Sequence, residues 1–246
     1  MQHDDTSHRQ YPRPETPWLM KQTWENLLFA HWPVPIEMMR SLIPAPIKLD
    51  TFDGVAWIGL VPFEITAMHV HGVPPIPGVS RFPEVNVRTY VSYADKPGVY
   101  FFSLDAGHRL AVQAARQMFH LPYYHARFQI DVHQHQVYYR MERTHHHAPP
   151  AQLDATYAPV GDVFESVPGS VEAWLTDRYC LYVSHGGQLY RGDIHHSAWP
   201  LQRADMELGT NTLFDAYGWP TPKVEPLCHF AQKQETLFWP LAKVDT

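Results

Sequence analysis

The chain has 246 residues, 45% of them hydrophobic and 18% charged, with a formal net charge of −6. That length supports a sizeable core. The acidic balance, with no basic run anywhere, argues against nucleic-acid binding, which needs concentrated Lys and Arg to neutralise phosphates. Residues 1–17 are polar and lack the apolar centre of a secretory signal, and apolar runs such as Val55 to Val61 are too short to cross a bilayer. Only Cys180 and Cys228 carry thiols, which points to a cytoplasmic protein without a disulfide framework. The 23 prolines break helix interiors and central strands, and the aromatic content suits pleated surfaces, so composition alone leans toward short elements and sheet.

Residues 1–17 are expected to be a flexible tail and 18–246 a single domain. Trp24 to Trp32 is an apolar run suited to a strand. Pro33 to Pro44 predicts a short helix with Ile36, Met39, Leu42 and Ile43 as its apolar stripe. Val55 to His71 predicts a long strand bent at Pro62, followed by a rigid proline-rich loop over residues 71–83. From Glu84 to Val91 the residues alternate, with Glu84, Asn86, Arg88 and Tyr90 on one face and Val85, Val87, Thr89 and Val91 on the other. Lys96-Pro97-Gly98 is expected as the turn into a second strand, Val99 to Leu104. His108 to His120 carries a helical pattern, with Leu110, Ala111, Ala114, Ala115, Met118 and Phe119 as the apolar side and Arg109, Gln113, Arg116 and His120 opposite. Asp105 is expected at the start of that helix, pairing with Arg109. Tyr123 to Val132 and Gln134 to Glu142 predict a hairpin, residues 144–170 an ordered loop, and Val171 to Thr176 a helical turn. Tyr179 to Ser184 and Gln188 to Ile194 predict a hairpin around His185-Gly186-Gly187. Short strands follow, with a helix over Thr210 to Tyr217.

Two sets of segments resemble known families. IPAPIKLD (43–50) and VPFEITAMH (61–69) resemble acetoacetate decarboxylases. PEVNVRTYV, GVYFFSLDA, LAVQAARQMFHLPYYHAR and RYCLY together resemble the YqjF-like family, a branch of the acetoacetate decarboxylase-like superfamily, over roughly residues 18–240. The resemblance implies an α+β fold, mainly antiparallel, with a curved sheet or barrel and two or three short helices. The decarboxylases use a lysine that forms a Schiff base, its pKa lowered by a second lysine. Matching Arg116 and Pro122 to the family pattern places Tyr123 and Tyr124 where that pair belongs, and no lysine occurs between Lys96 and Lys223. Tyrosine forms no imine, so the family reaction is expected to be absent.

The resemblance also carries an acid's role onto Glu84, and alternation puts Arg88 on the same strand face. An acid and a guanidinium so placed form an ion pair, orient a substrate carboxylate or position a water; an internal ion pair that fixes strand register is the plain alternative. Arg116 sits opposite the apolar stripe, where arginine is most often solvated. Tyr123 and Tyr124 alternate, so one of them faces inward and offers a phenol either to a ligand or to a core partner. His69/His71 and His133/His135 are each two apart, which on a strand places both rings on one face, yet no spacing matches an established metal motif. No metal or other cofactor is expected, and without a phosphate loop or a nucleophile elbow, nucleotide use and serine-hydrolase chemistry lack support.

The sequence therefore predicts a pocket for a small organic acid or carbonyl compound, with Glu84 as the acid–base group and Asn86, Arg88, Arg116, Tyr123 and Tyr124 as binding residues. It leaves open an enzyme, a non-catalytic binder or a structural protein. It names no nucleic-acid or membrane partner, and the many aromatics suit a homo-oligomer interface as well as a core.

Overall fold

A computed structural model describes residues 5–244. The elements in chain order are β1 (Met20–Val34), α1 (Ile36–Arg40), β2 (Lys48–Leu49), β3 (Ala56–Val70), β4 (Phe82–Tyr93), β5 (Lys96–Ala106), α2 (Arg109–Met118), β6 (Tyr123–His133), β7 (Gln136–Arg143), β8 (Gln152–Phe164), α3 (Val171–Thr176), β9 (Cys180–His185), β10 (Gln188–His196), β11 (Leu201–Asn211), a 3-10 turn (Asp215–Tyr217), β12 (Leu227–Phe238) and β13 (Ala242–Lys243). All thirteen strands belong to one sheet, in the order β13-β10-β9-β5-β6-β7-β8-β11-β12-β1-β3-β4-β2. Pairing is antiparallel except where β5 meets β6 and β9.

Two further pairings curl the sheet back on itself. β4 pairs with β5 along most of its length, and β10 pairs with the end of β12. The result is barrel-like, with two circuits that share β12, β1, β3, β4 and β5: a larger one through β6, β7, β8 and β11, and a smaller one through β9 and β10. Strands shared by two interiors are buried on both faces and read as nearly continuous apolar runs. Leu28, Ala30, Ile58, Leu60, Val85 and Val87 face the larger interior with Tyr139, Tyr157 and Phe230. Leu27, Phe29, Val61, Phe63 and Phe82 face the smaller one with Trp199, continuing into Tyr90, Leu104 and Leu175. Leu28 and Leu60 are fully buried, and each such side chain stabilises the fold by about 1.5–3 kcal/mol.

Pro62 lies within β3 without breaking it. Its neighbours pair normally with β4, while the register to β1 skips between Leu60 and Glu64. A proline lacks the N–H that a ladder needs, and here the missing donor falls inside that gap.

Several boundaries differ from expectation. The turn between β4 and β5 is Ala94-Asp95, both at positive φ (47° and 60°), and Lys96-Pro97-Gly98 begins the next strand. A primed two-residue turn matches the strand twist better than a proline turn does. The helix after Pro33 spans only Ile36–Arg40, with Met39 buried and Leu42 37% exposed. Residues 144–170 are not a loop throughout, since Gln152–Phe164 forms β8. Its alternation sends Leu153, Ala155 and Tyr157 into the larger interior. Thr210 to Tyr217 is the end of β11 and the 3-10 turn rather than a helix.

α2 matches its expected position, but its buried side differs. Val112 is its buried residue, while Leu110 and Met118 are 68% and 60% exposed. With so many alanines on the helix, apolar type poorly identifies the face that packs. Before β1, Arg9 donates to the Ile194 carbonyl at 2.9 Å and covers the Tyr179 ring at 4.3 Å. Trp239 Nε1 donates to the Thr16 carbonyl at 2.7 Å. The first four residues of the expected tail, and residues 245–246, lie outside the described residues.

Candidate functional site

β4 passes between the two interiors, and its alternate residues Glu84, Asn86, Arg88 and Tyr90 form one row on the smaller one. Glu84 and Asn86 are 3% and 5% exposed, and Arg88 is half-buried. Opposite Glu84, the parallel crossover β5–α2–β6 delivers Tyr123 at the first position of β6. The Tyr123 hydroxyl donates to Glu84 Oε2 at 2.9 Å. The Tyr139 hydroxyl, from the larger interior, donates to the Glu84 backbone carbonyl at 2.7 Å and fixes β4 at this point.

No cation neutralises Glu84 among the described residues. Burial, helped by the nearby Asp105 charge, raises its pKa to about 8, against the opposing effect of the Tyr123 hydrogen bond. The phenol is in turn pushed well above its ordinary value by burial and by Glu84. At neutral pH the pair is a carboxylic acid hydrogen-bonded to a neutral phenol. Such a carboxyl gives or takes a proton within the physiological range.

Of the alternatives open to Glu84 and Arg88, the direct ion pair does not form. Four residues along a strand span about 13 Å, too far for direct contact. Arg88 instead donates to the Leu175 carbonyl at 3.3 Å and, at 3.5 Å, to the Tyr90 hydroxyl. An ion pair does occur on the other face. Arg143 binds Asp105 in a two-pronged contact, 2.7 Å at each oxygen, with both side chains buried. Asp105 is therefore not a helix-start group: it ends β5 facing the larger interior, and its intended helix is capped by His108.

Arg116 lies outside both interiors. It is exposed and donates to the Tyr123 carbonyl at 2.6 Å, tying the end of α2 to the start of β6. Tyr124 faces away from Tyr123, as alternation requires, and lies against the Arg143 guanidinium at 4.1 Å. The row thus brings together Glu84, Asn86, Arg88 and Tyr123, and leaves Arg116 and Tyr124 elsewhere. Missed by sequence reasoning were His31, Tyr90 as a polar group, and Arg178. His31 is fully buried and shares a 2.6 Å hydrogen bond with Tyr90. Burial first, then Arg88, keep its pKa well below the usual histidine value.

Of the histidine pairs, His135 lies in the β6–β7 turn rather than beside His133 on the strand, and His71 lies just past β3. Among the described residues no three His, Cys, Asp or Glu side chains are grouped to hold a metal ion. No helix is long and apolar enough to cross a membrane. Lys21, Lys48, Lys96, Lys223, Lys233 and Lys243 are the chain's lysines, and none of them is buried.

A large curved sheet with this crossover is the acetoacetate decarboxylase-like fold. The enduracididine biosynthesis enzyme MppR, in a complex with pyruvate, matches with a TM-score of 0.64 at 12% identity, over 94% of this chain and 91% of its own. An acetoacetate decarboxylase-like enzyme from Sphingomonas wittichii RW1 matches at 0.62 and 10% identity, over 97% and 98%. The acetoacetate decarboxylase of Legionella pneumophila matches at 0.56 and 13%, over 97% and 94%. Within that fold, the chain belongs to the DUF2071 family, described as an uncharacterized conserved protein, which matches residues 21–235. It is 46% identical over 230 residues, 94% of each chain, to the uncharacterized protein YqjF of Bacillus subtilis (strain 168).

Proposed function

We propose that the smaller interior binds a small organic acid or carbonyl compound, and that Glu84 exchanges a proton with it while Arg88 holds its carboxylate. One observation carries this reading. A buried carboxyl without a cationic partner is held protonated up to about pH 8 and touches a phenol. A group that only fixed strand register would be expected to find a countercharge, as Asp105 does in Arg143. Burying an unneutralised acid lowers stability, and perturbations of this kind cluster at functional sites.

The chemistry is lysine-independent. Tyr123 and Tyr124 stand where the resemblance puts the decarboxylase lysines, and no lysine side chain is buried to serve in their place. Tyr123 supplies a hydrogen bond that steadies either charge state of Glu84. Arg116 holds the Tyr123 backbone in place. The likeness to MppR, whose complex contains pyruvate, supports a small oxo acid as the ligand class, by analogy of fold.

The test is a thermal-shift series with pyruvate, acetoacetate and acetone on the wild type, Glu84→Gln and Arg88→Met. A ligand of the folded state raises Tm with its concentration. The expected outcome is stabilisation by a keto acid that Arg88→Met loses. No stabilisation by any of the three at saturating concentration would overturn the reading.

A further inference from the structure

The row on β4 ends in a corner that Arg88 shares with residues from three other parts of the chain. His31 of β1, Gly59 of β3 and Arg88 stand side by side in register. A Cβ on Gly59 would lie 3.2 Å from His31 Nε2 and 3.4 Å from Arg88 Cγ. The missing side chain is what lets the imidazole and the arginine stem meet. Tyr90 accepts from Arg88 and shares a hydrogen bond with His31 Nε2; in the tautomer where the Tyr90 hydroxyl donates to Nε2, the neutral imidazole carries its hydrogen on Nδ1. Arg178 enters just ahead of β9. Its guanidinium lies 5.0 Å from the Tyr90 ring and 4.4 Å from that of Trp174. It donates through Nη1 to Asp50 and through Nε to the Trp174 carbonyl, at 2.7 and 2.6 Å.

Three N–H groups and one imidazole nitrogen on this side of β3 and β4 are left over. His31 Nδ1, Arg88 Nε, Arg178 Nη2 and Trp57 Nε1 are buried atoms without an acceptor among the described residues. Trp57 is on the same face of β3 as Gly59 and packs with Tyr90 and Leu175. Leaving a buried polar atom unmatched is unfavourable, and native proteins rarely leave several in one place. Arg88 and Arg178 share this corner with one carboxylate, Asp50, which pairs with Arg178, so among the described residues the corner keeps an excess of one positive charge. Arg88 and Trp57 are half-buried, so it is not sealed from solvent.

We infer that His31, Arg88, Arg178 and Trp57 form a subsite for one carboxylate group. A planar, singly charged carboxylate matches both the guanidinium geometry and the net charge, and it accepts hydrogen bonds without donating any. This refines the ligand class of the proposed interior to acids rather than neutral carbonyl compounds. It rests on that ligand-binding reading, yet on atoms other than those of Glu84 and Tyr123. The ligand's acid end sits in the corner, and a ligand that also reaches Glu84 must span the roughly 13 Å of β4 between Arg88 and Glu84.

The experiment is calorimetric titration of the folded protein with acetate and, separately, inorganic phosphate. Wild type and Glu84→Gln are expected to bind acetate alike. Trp57→Phe removes a donor that has no partner to lose, and should weaken binding about threefold; Arg178→Met should weaken it about tenfold or more. Asp50→Asn removes the competing carboxylate while keeping the oxygen that Thr51 N–H uses, and should tighten acetate binding about fivefold. That gain separates a binding role from a structural one, even if Arg178→Met does not fold. Acetate binding unchanged in both Trp57→Phe and Asp50→Asn overturns the subsite, as does phosphate binding more tightly than acetate. Acetate binding lost in Glu84→Gln alone would keep the interior but move the anion out of this corner. If the acetate results hold while Glu84→Gln leaves all chemistry intact, the Glu84 role fails and the subsite stands.

Discussion

Replacing Glu84 by Gln should change how stability depends on pH, with a sign and size set by the buried carboxyl. Glu84 releases its proton near pH 8 when folded, against an ordinary value of 4.5. Between those values the unfolded chain has lost the proton and the folded chain has kept it. The unfolded state therefore binds fewer protons, and stability falls as pH rises through this window, levelling off above pH 8. At about 1.4 kcal/mol per pH unit, the whole interval amounts to about 5 kcal/mol. From pH 5 to pH 9 the wild type should lose about 4 kcal/mol on this account, and Glu84→Gln should not. Urea denaturation of both proteins at each pH unit reads the difference directly. The mutant's advantage should grow steadily to pH 8 and then flatten. Parallel stability curves for the two proteins would refute the argument, because they would mean that Glu84 ionises alike in the folded and unfolded chains.

Other consequences are separable by mutation. Asp105→Asn strands the Arg143 charge in the larger interior and should cost about 3–5 kcal/mol in a denaturant titration. Gly98→Ala would place a Cβ 2.7 Å from the Cys180 carbonyl oxygen. Since neither backbone can yield, stability should fall by about 1–3 kcal/mol. Val112→Ala should cost about 2 kcal/mol and Leu110→Ala under about 0.5, reversing what their sizes suggest, because only Val112 is buried. Borohydride added with pyruvate or acetoacetate should leave the protein mass unchanged, since a trapped imine needs an accessible low-pKa lysine; a stoichiometric adduct would contradict a lysine-independent site.

The strands were legible where one face differed chemically from the other. Glu84 to Val91 alternates polar and apolar, and it emerges as β4 with both faces buried. β8 was equally regular over Leu153, Ala155 and Tyr157, but the prolines and histidines before it masked the alternation. Helix α2 was placed correctly from its period, while its packed side was not, because alanine fits either face. For Asp105 the local spacing suggests a helix start, whereas a guanidinium thirty-eight residues away claims it. The same limit hid the corner around Arg88. His31, Gly59 and Arg178 become neighbours only through strand register and a crossing segment, and no local pattern announces that. The family resemblance points to Glu84 and Tyr123 individually, but their contact follows from the parallel pairing of β5 with β6.

Whether Glu84 moves protons on a bound acid is tested most directly by hydrogen exchange at the substrate. Oxo acids whose chain is long enough to span from Arg88 to Glu84, incubated with the protein in D2O, can be followed by proton NMR for loss of signal at the carbon next to the carbonyl. The account predicts exchange above the buffer rate for a keto acid that binds, abolished in Glu84→Gln and weakened in Arg88→Met through binding alone. Exchange equal to buffer for every keto acid that binds, or equal in the wild type and Glu84→Gln, would contradict it.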